Sequence, residues 1–440
     1  MSPVKAHELP RISKEPFLKL PYSIGGLVKL MRLNLSRCKY IEELPDSIGK
    51  LQSLVELDLS STSIGRLPDS IGNLKQLKVL RMCQIREIIE LPRAIWLLEK
   101  LEELNAHECW NLIGEIPKEI GRMSRLRILD LSSTCICGLP ATVSHLSNLQ
   151  TLELKDCLKL KQLPELPPSL PFLTWGRACF WCSPPGEYWR VAPSQQETPV
   201  ITLPTNIGSL SQLKKLELCC ENVQFLPQLP SSLRQLQLHH LVTTRSPDFS
   251  NLKDLSFLTF DGCSLELSRI FDAESEYLRM DYCKFREVDA PLQLKMKRLR
   301  SLNMDNCKFL PEVFDLSGMK NLEKVSLRYC EQLVEICGLE ELGSLCSLLV
   351  EFCFSLERIS DLSKLKKLPK LQVLGCWKLN REEIYWNYWN GEFRGDICNV
   401  DGFDLSSVPD ERRMDVFFSR SLPPRPPLPP LPPPPPPPPP

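Results

Sequence analysis

Between Leu54 and Leu74 the chain reads LVELDLSSTSIGRLPDSIGNL, with apolar residues at 54, 57 and 59, a small Thr62, then Ile64, Leu67-Pro68 and Ile71-Gly72-x-Leu74. The two-residue step between Leu57 and Leu59 sends both side chains to one side of a short strand and leaves Glu56, Asp58 and Ser60 on the other. Pro68 stops the extended run, and Asp69-Ser70 is placed to open a helical turn that buries Ile71 and Leu74 on the far side of the coil. One such unit cannot cover its own apolar face. The pattern therefore predicts neighbours above and below it.

Those neighbours are present. Apolar residues at n, n+3 and n+5, with a small residue at n+8, thread fifteen units whose first anchors run from Leu30 through Leu54, Leu77, Leu101, Leu126, Leu149, Leu170, Leu213, Leu233, Leu255, Ser275, Leu299, Leu322 and Leu345 to Leu368. This is the leucine-rich-repeat template L-x-x-L-x-L-x-x-[N/C/T]. The step from Leu170 to Leu213 is the long one and holds a loop near 179–199. The Leu-Pro…Ile-Gly-x-Leu closure is clear at Leu20, Leu44, Leu67 and Leu203, nearly so at Ile116, and is lost after Leu226-Pro227. The fold class expected is α/β: a horseshoe-shaped leucine-rich-repeat solenoid with a parallel concave β-sheet and an irregular or short-helical convex side.

The organisation that follows has four parts. Residues 1–19 form an N-terminal segment without a clear cap, so further chain is expected upstream, because an uncapped solenoid exposes a row of leucines. Residues 20–380 form the solenoid. Residues 381–420 are a C-terminal cap or tail, with Tyr385, Trp386, Tyr388, Trp389 and Phe393 suited to cover the last coil. Residues 421–440 are almost all proline, a polyproline II or disordered tail that cannot join the core.

Charge and cysteine narrow the function. Lys+Arg and Asp+Glu both number 54, so no net field points to nucleic acid or to an anionic membrane. No secretion signal and no run of 18 apolar residues is seen. Of the 19 cysteines, Cys38, Cys109, Cys157, Cys263, Cys283, Cys307, Cys330, Cys353 and Cys376 all fall at n+8 and read as small buried thiols in a reducing compartment, not as a disulfide framework.

Fifteen strands about 4.8 Å apart make an inner surface of about 65 to 70 Å, the size of a protein partner rather than of a small substrate. The informative positions lie between the leucines, at n+2, n+4, n+6 and n+7. In the first half they hold Glu56, Asp58, Ser60, Glu103, Asn105, His107, Asp130, Glu153 and Lys155, which a solvated strand face explains. In units ten to fourteen they hold Phe257, Asp261, Tyr277, Arg279, Asp281, Tyr282, Asp305, Arg328, Tyr329, Glu351 and Phe352. Aromatics and Arg beside carboxylates anchor protein interfaces, so this is the candidate binding face, against the plainer reading of aromatics that cover neighbouring strands.

Catalytic and cofactor chemistry finds no support. No G-x-x-x-x-G-K-[ST] phosphate loop occurs, and Cys179-Phe-Trp-Cys182 has metal spacing without a second pair. His239-His240 lies on a strand, where neighbours face opposite ways. In the tail, Arg425 precedes Leu428 and Leu431 where an SH3-ligand register needs proline, so the tail reads as low-complexity sequence without a dedicated partner.

At Leu44–Leu80 and Leu149–Leu170 the chain closely resembles the repeat region of plant intracellular nucleotide-binding leucine-rich-repeat disease-resistance receptors, nearest the subclass with an N-terminal Toll/interleukin-1 receptor domain. The resemblance covers about residues 20–380 and lacks the signalling and nucleotide-binding domains. It implies a cytoplasmic or nuclear module that senses a pathogen effector, directly or through a guarded host protein, and restrains the receptor's nucleotide-binding domain. Two alternatives stand beside it. A cytoplasmic signalling scaffold shares the Leu-Pro…Ile-Gly-x-Leu closure, although it favours Asn at n+8. A receptor ectodomain shares Ile113-Gly114-Glu115-Ile116-Pro117 and the sequon Asn34-Leu35-Ser36.

Overall fold

The computed structural model describes residues 19–176, most of 203–379 apart from short stretches, and the strand Asp396–Cys398. Among these described residues sixteen strands form one sheet in chain order, each pairing in parallel with the next, from Arg32–Asn34 at one end to Asp396–Cys398 at the other. All fifteen threaded units supply a strand. The proline-rich unit at Leu170 does so through Phe172–Gly176, which pairs with Thr151–Lys155 on one side and Lys215–Cys219 on the other. The sixteenth strand follows the last threaded unit. The segment 1–18, the loop near 179–199, the aromatics from Tyr385 to Phe393 and the proline tail lie outside the described residues.

Strand length changes along the stack for a local reason. In four of the first five units a short polar residue at n+4 takes the n+6 backbone N–H: Ser36 donates to Asn34 at 2.8 Å, Ser60 to Asp58 at 2.9 Å, and His107 and Ser132 to Asn105 and Asp130 at 3.0 Å. Each of these side chains competes with the ladder and ends its strand at three residues. From Thr151–Lys155 onward the strands of the main sheet up to Lys370–Leu374 run five residues. Asn303 and Ser326 stay inside such strands, and Asn303 Oδ1 and Ser326 Oγ make no protein hydrogen bond.

The convex side is built from 3-10 turns. They occur at Tyr22–Gly26, Asp46–Lys50, Asp69–Asn73, Lys118–Arg122 and Ile207–Ser209, where the Ile-Gly closure places them, and also at Arg93–Leu97 and Ala141–His145. Pro68 stands in the capping position before Asp69, and no side chain caps that turn. The glycine has a packing reason. A Cβ on Gly49 would meet the Ser70 carbonyl oxygen at 2.5 Å, and one on Gly72 would meet the Ala94 Cβ and carbonyl oxygen at 2.9 Å. Successive turns therefore stack closer than any side chain allows. Further on, short parallel ladders, Val313–Asp315 with Glu335–Cys337 and Arg358–Ile359, take the place of most turns.

Inside, the n, n+3 and n+5 residues are buried, with Leu129, Leu152 and Leu302 typical. Eight of the nine n+8 cysteines are buried. Each donates its thiol to the n+5 carbonyl of the preceding unit, from 2.9 Å for Cys109 on Met82 to 3.9 Å for Cys376 on Val350. Thr62 and Thr134 instead satisfy the n+5 carbonyl of their own unit, at 2.7 Å. Cys38 corrects the expectation of buried thiols at every n+8 position: it is exposed, because its unit carries the first described strand of the sheet, with no described strand before it to cover the thiol or offer the n+5 carbonyl that the others use.

Candidate partner-binding face

Parallel in-register pairing brings equivalent positions of successive units side by side, so the concave face is a set of rows. In the n+2 row, Phe257 lies opposite Tyr277, and the rings stack with centroids 4.7 Å apart and planes 12° from parallel. They remain 42% and 41% exposed, too open for rings whose role is to seal a core. In the n+7 row, Tyr329 stacks on Phe352 at 4.9 Å and 10°, and Phe354 leans on Phe352 at 6.4 Å. The n+2 and n+7 positions lie at opposite ends of the strands. The two stacks therefore flank the sheet.

Between them runs the n+6 row, His239, Asp261, Asp281, Asp305, Arg328 and Glu351, each in register with the next. Asp261 faces His239 Nδ1 at 3.3 Å. Arg279 Nε donates to Asp281 at 2.6 Å, while the other oxygen of this buried carboxylate makes no hydrogen bond. Burial pushes the Asp281 carboxyl above the usual aspartate range; Arg279 opposes this, while Asp305 and Asp261 push the same way. Asp305 accepts from Asn306 Nδ2 at 2.9 Å. Arg328 Nε lies 3.1 Å from Glu351, an ion pair by distance whose N–H is not aimed for a hydrogen bond. Glu351 also accepts from Gln372 at 2.7 Å.

The n+7 position has a backbone property that the spacing did not reveal. Its φ is positive in unit after unit: Arg37, Ser61, Gln84, Glu108, Ser133, Asp156, His240, Gly262, Tyr282, Asn306, Tyr329, Phe352 and Gly375. Gly and Asn tolerate this left-handed conformation, whereas a bulky ring there is an outlier. Tyr282, Tyr329 and Phe352 are therefore held in a conformation that works against their side chains. Tyr282 is the most open of them, at 61% exposure.

The first half of the concave face is more self-satisfied than a merely solvated surface. Arg81, which the row of acidic candidates did not include, donates to Glu56 at 2.8 Å and to Glu103 at 2.7 and 3.1 Å. Asp58, Asn105 and Asp130 are occupied with strand termination. Across the middle, Lys155 reaches over the Thr174 strand to Glu217 at 3.0 Å, and Glu217 approaches His239 at 3.8 Å. Among the described residues no three His, Cys, Asp or Glu side chains converge on a point that could hold a metal, and no helix is long and apolar enough to cross a membrane. Cys179 and Cys182 lie outside the described residues. His240 is left-handed and follows His239 around the end of the strand.

A leucine-rich repeat region family matches residues 18–127. The chain is 42% identical over 153 residues to TMV resistance protein N of Nicotiana glutinosa, covering 34% of this chain and 13% of that protein. It is 32% identical over 130 residues to disease resistance protein RPS4B of Arabidopsis thaliana, covering 29% of this chain and 11% of that one. The chain thus spans about an eighth of the curated relatives it matches. A solved leucine-rich-repeat protein of Leptospira interrogans superposes with a TM-score of 0.55 at 21% identity, over 87% of this chain and 93% of that one, a likeness of fold. The chain carries a leucine-rich-repeat region similar to that of plant disease-resistance proteins.

Proposed function

We propose that this leucine-rich-repeat solenoid is a protein-recognition module of plant innate immunity, and that the concave face from Phe257 to Phe352 is where its partner sits. The observation that carries the reading is the pair of exposed ring stacks, Phe257–Tyr277 and Tyr329–Phe352, on opposite borders of one charged sheet. Stacked rings offer large area at little further entropic loss, and the Asp, Arg and Glu row between them fixes the register of whatever binds. The partner is a protein: a pathogen effector, a guarded host protein, or the nucleotide-binding domain of a receptor that this region restrains. It works by binding and not by catalysis, in the cytoplasm, with a nuclear pool also compatible.

The test is co-purification of the tagged chain from plant cells, with and without Phe257, Tyr277, Tyr282, Tyr329 and Phe352 changed to Ala. Loss of a specific protein with those changes, in a chain that keeps its circular dichroism, supports the reading. A folded parent chain that retrieves only chaperones overturns it.

A further inference from the structure

The n+8 row changes character along the stack. In the first nine units it holds Cys38, Thr62, Ile85, Cys109, Thr134, Cys157, Ala178, Glu221 and Leu241, so no cysteine there is followed by a cysteine in the next unit. From the tenth unit onward it reads Cys263, Cys283, Cys307, Cys330, Cys353 and Cys376 without a break. All six are buried. Each donates to the n+5 carbonyl of the unit before. Each also lies 3.5 to 3.7 Å from the n+6 carbonyl of its own unit. Cys109 and Cys157 bond the preceding unit in the same way without a neighbour, so satisfying that carbonyl does not call for a second thiol beside the first.

Equal seating on an in-register sheet makes the six sulfurs repeat with the strands, about 4.8 Å apart. The Cβ atoms repeat likewise, and about 4.8 Å is too wide for a disulfide, which needs about 3.5 to 4.5 Å. A cation midway between neighbouring sulfurs lies about 2.4 Å from each, close to a metal–thiolate bond of about 2.3 Å. Among the described residues no three His, Cys, Asp or Glu side chains converge on a point. The row therefore offers two sulfurs in line, not the four ligands of a structural zinc site. Soft sulfur donors select copper(I), a closed-shell ion that accepts linear two-fold coordination.

We infer that neighbouring cysteines of the run Cys263 to Cys376 form a linear two-sulfur site for copper(I), a clip that joins one repeat to the next. One copper(I) enters and one proton leaves: one sulfur becomes the thiolate, and its neighbour stays a thiol that donates to its carbonyl. No electron moves. The filled site carries no net charge, as suits an interior that holds the buried side chains of Phe260, Met280 and Met304. Because the thiols are buried, the ion enters when the chain after the strand opens locally. Asp281 and Tyr282 immediately precede Cys283, and Arg328 and Tyr329 precede Cys330, so a clip stiffens the strand ends that carry the candidate face. The site does not depend on that face binding a partner.

The experiment uses the full chain, kept anaerobic, with the thiols that alkylation reaches in the native state blocked first. Two variants with equal numbers of cysteine are compared. Cys330→Ser with Cys353→Ser and Cys376→Ser keeps Cys263, Cys283 and Cys307 side by side. Cys283→Ser with Cys330→Ser and Cys376→Ser keeps Cys263, Cys307 and Cys353, none of them adjacent. Serine leaves a donor for the carbonyl in both. Copper(I) is titrated against a colorimetric copper(I) chelator. The first variant should hold one copper(I) per chain, release one proton with it, and show two sulfur neighbours at about 2.3 Å by X-ray absorption. The amide that Tyr282 donates to Asp305 should exchange more slowly once copper is bound. The second variant should bind about tenfold more weakly or not at all, since no sulfur there has a partner within reach. Equal binding by the two, binding by neither, or a shell containing nitrogen, oxygen or a third sulfur overturns the inference. If three serines cost the fold, seen as lost circular dichroism, the unsubstituted chain decides: a two-sulfur shell upholds the clip, and any other shell or no uptake overturns it.

Discussion

The left-handed n+7 position makes a prediction that separates fold from function at Tyr282. Its φ is 53°, its ring is 61% exposed, and the same position in flanking units is held by Gly262 and Asn306. A non-glycine residue in this conformation costs about 1 to 2 kcal/mol, with Ala no better placed than Tyr because the penalty comes from Cβ. Glycine removes the penalty but loses about 0.5 to 1 kcal/mol through a freer unfolded chain. Tyr282→Gly is therefore expected to be more stable than Tyr282→Ala by about 0.5 to 1 kcal/mol, the reverse of the order in a helix or strand. Because a repeat array need not unfold in one step, the assay is native-state hydrogen exchange of the amide that Tyr282 donates to Asp305 at 2.8 Å. A difference of that size slows exchange in the Gly variant by about two- to fivefold relative to Ala. If both substitutions release the partner while their stabilities rank Gly above Ala, the ring serves recognition at the expense of the backbone. Ala exchanging as slowly as Gly would refute the strain argument.

Leu129→Ala removes a fully buried n+3 side chain and should cost about 2 to 5 kcal/mol, read as earlier loss of circular dichroism in urea. Gly72→Ala should cost about 1 to 3 kcal/mol, since its Cβ would lie 2.9 Å from the Ala94 carbonyl oxygen; tolerance at wild-type stability would deny the close stacking of turns. Burial pushes the Cys109 and Cys157 thiols up to about 12, so brief alkylation at pH 8 should mark Cys38 and spare both until urea is added. For Asp281 the folded-state pKa is raised, so its penalty is absent below the unfolded value and grows as pH rises through the folded one. Asp281→Asn should therefore stabilise the chain at pH 7 and lose that advantage near pH 3.5, and a gain equal at both pH values would contradict the linkage.

The sequence revealed what repeats and hid what happens once. Leu57 and Leu59 announce a strand because the same step recurs through the stack, and even Ser275 in place of Leu left Leu278 and Met280 to hold the register of Tyr277–Asp281. The turns at Arg93–Leu97 and Ala141–His145 were harder to see, since Trp96 and Ser144 replace the glycine of the closure; Pro92 with Ile95, and Pro140 with Val143, were the remaining signal. Arg81 escaped because its partners, Glu56 and Glu103, lie 25 and 22 residues away, and only the parallel register brings them together. The ring stacks were half legible: spacing placed Phe257 and Tyr277 in one row, but the 4.7 Å contact needed equal register in both strands. The sign of φ at n+7 left no compositional trace, because Arg, Gln and Tyr stand there as readily as Gly.

A parallel in-register sheet also explains why the two halves of one surface can differ while the fold stays the same. Each row is a one-dimensional stack about 4.8 Å apart, so a side chain meets mainly its counterparts one unit up and one unit down. Opposite signs in adjacent rows neutralise each other diagonally, as Arg81 at n+4 does with Glu56 and Glu103 at n+2 of the units on either side. Like charges do not, and Asp261, Asp281 and Asp305 occupy three successive places at n+6. Nothing in the leucine core requires that run, since Leu258, Leu278 and Leu302 beneath it are as buried as Leu57, Leu80 and Leu104 beneath the neutral ladder. The acid run serves no packing need, and at Asp281, where burial and the neighbouring carboxylates outweigh Arg279, it disfavours the charged form. On the proposed reading of this face, such a load beside two exposed ring stacks is expected to be relieved when a protein partner covers it.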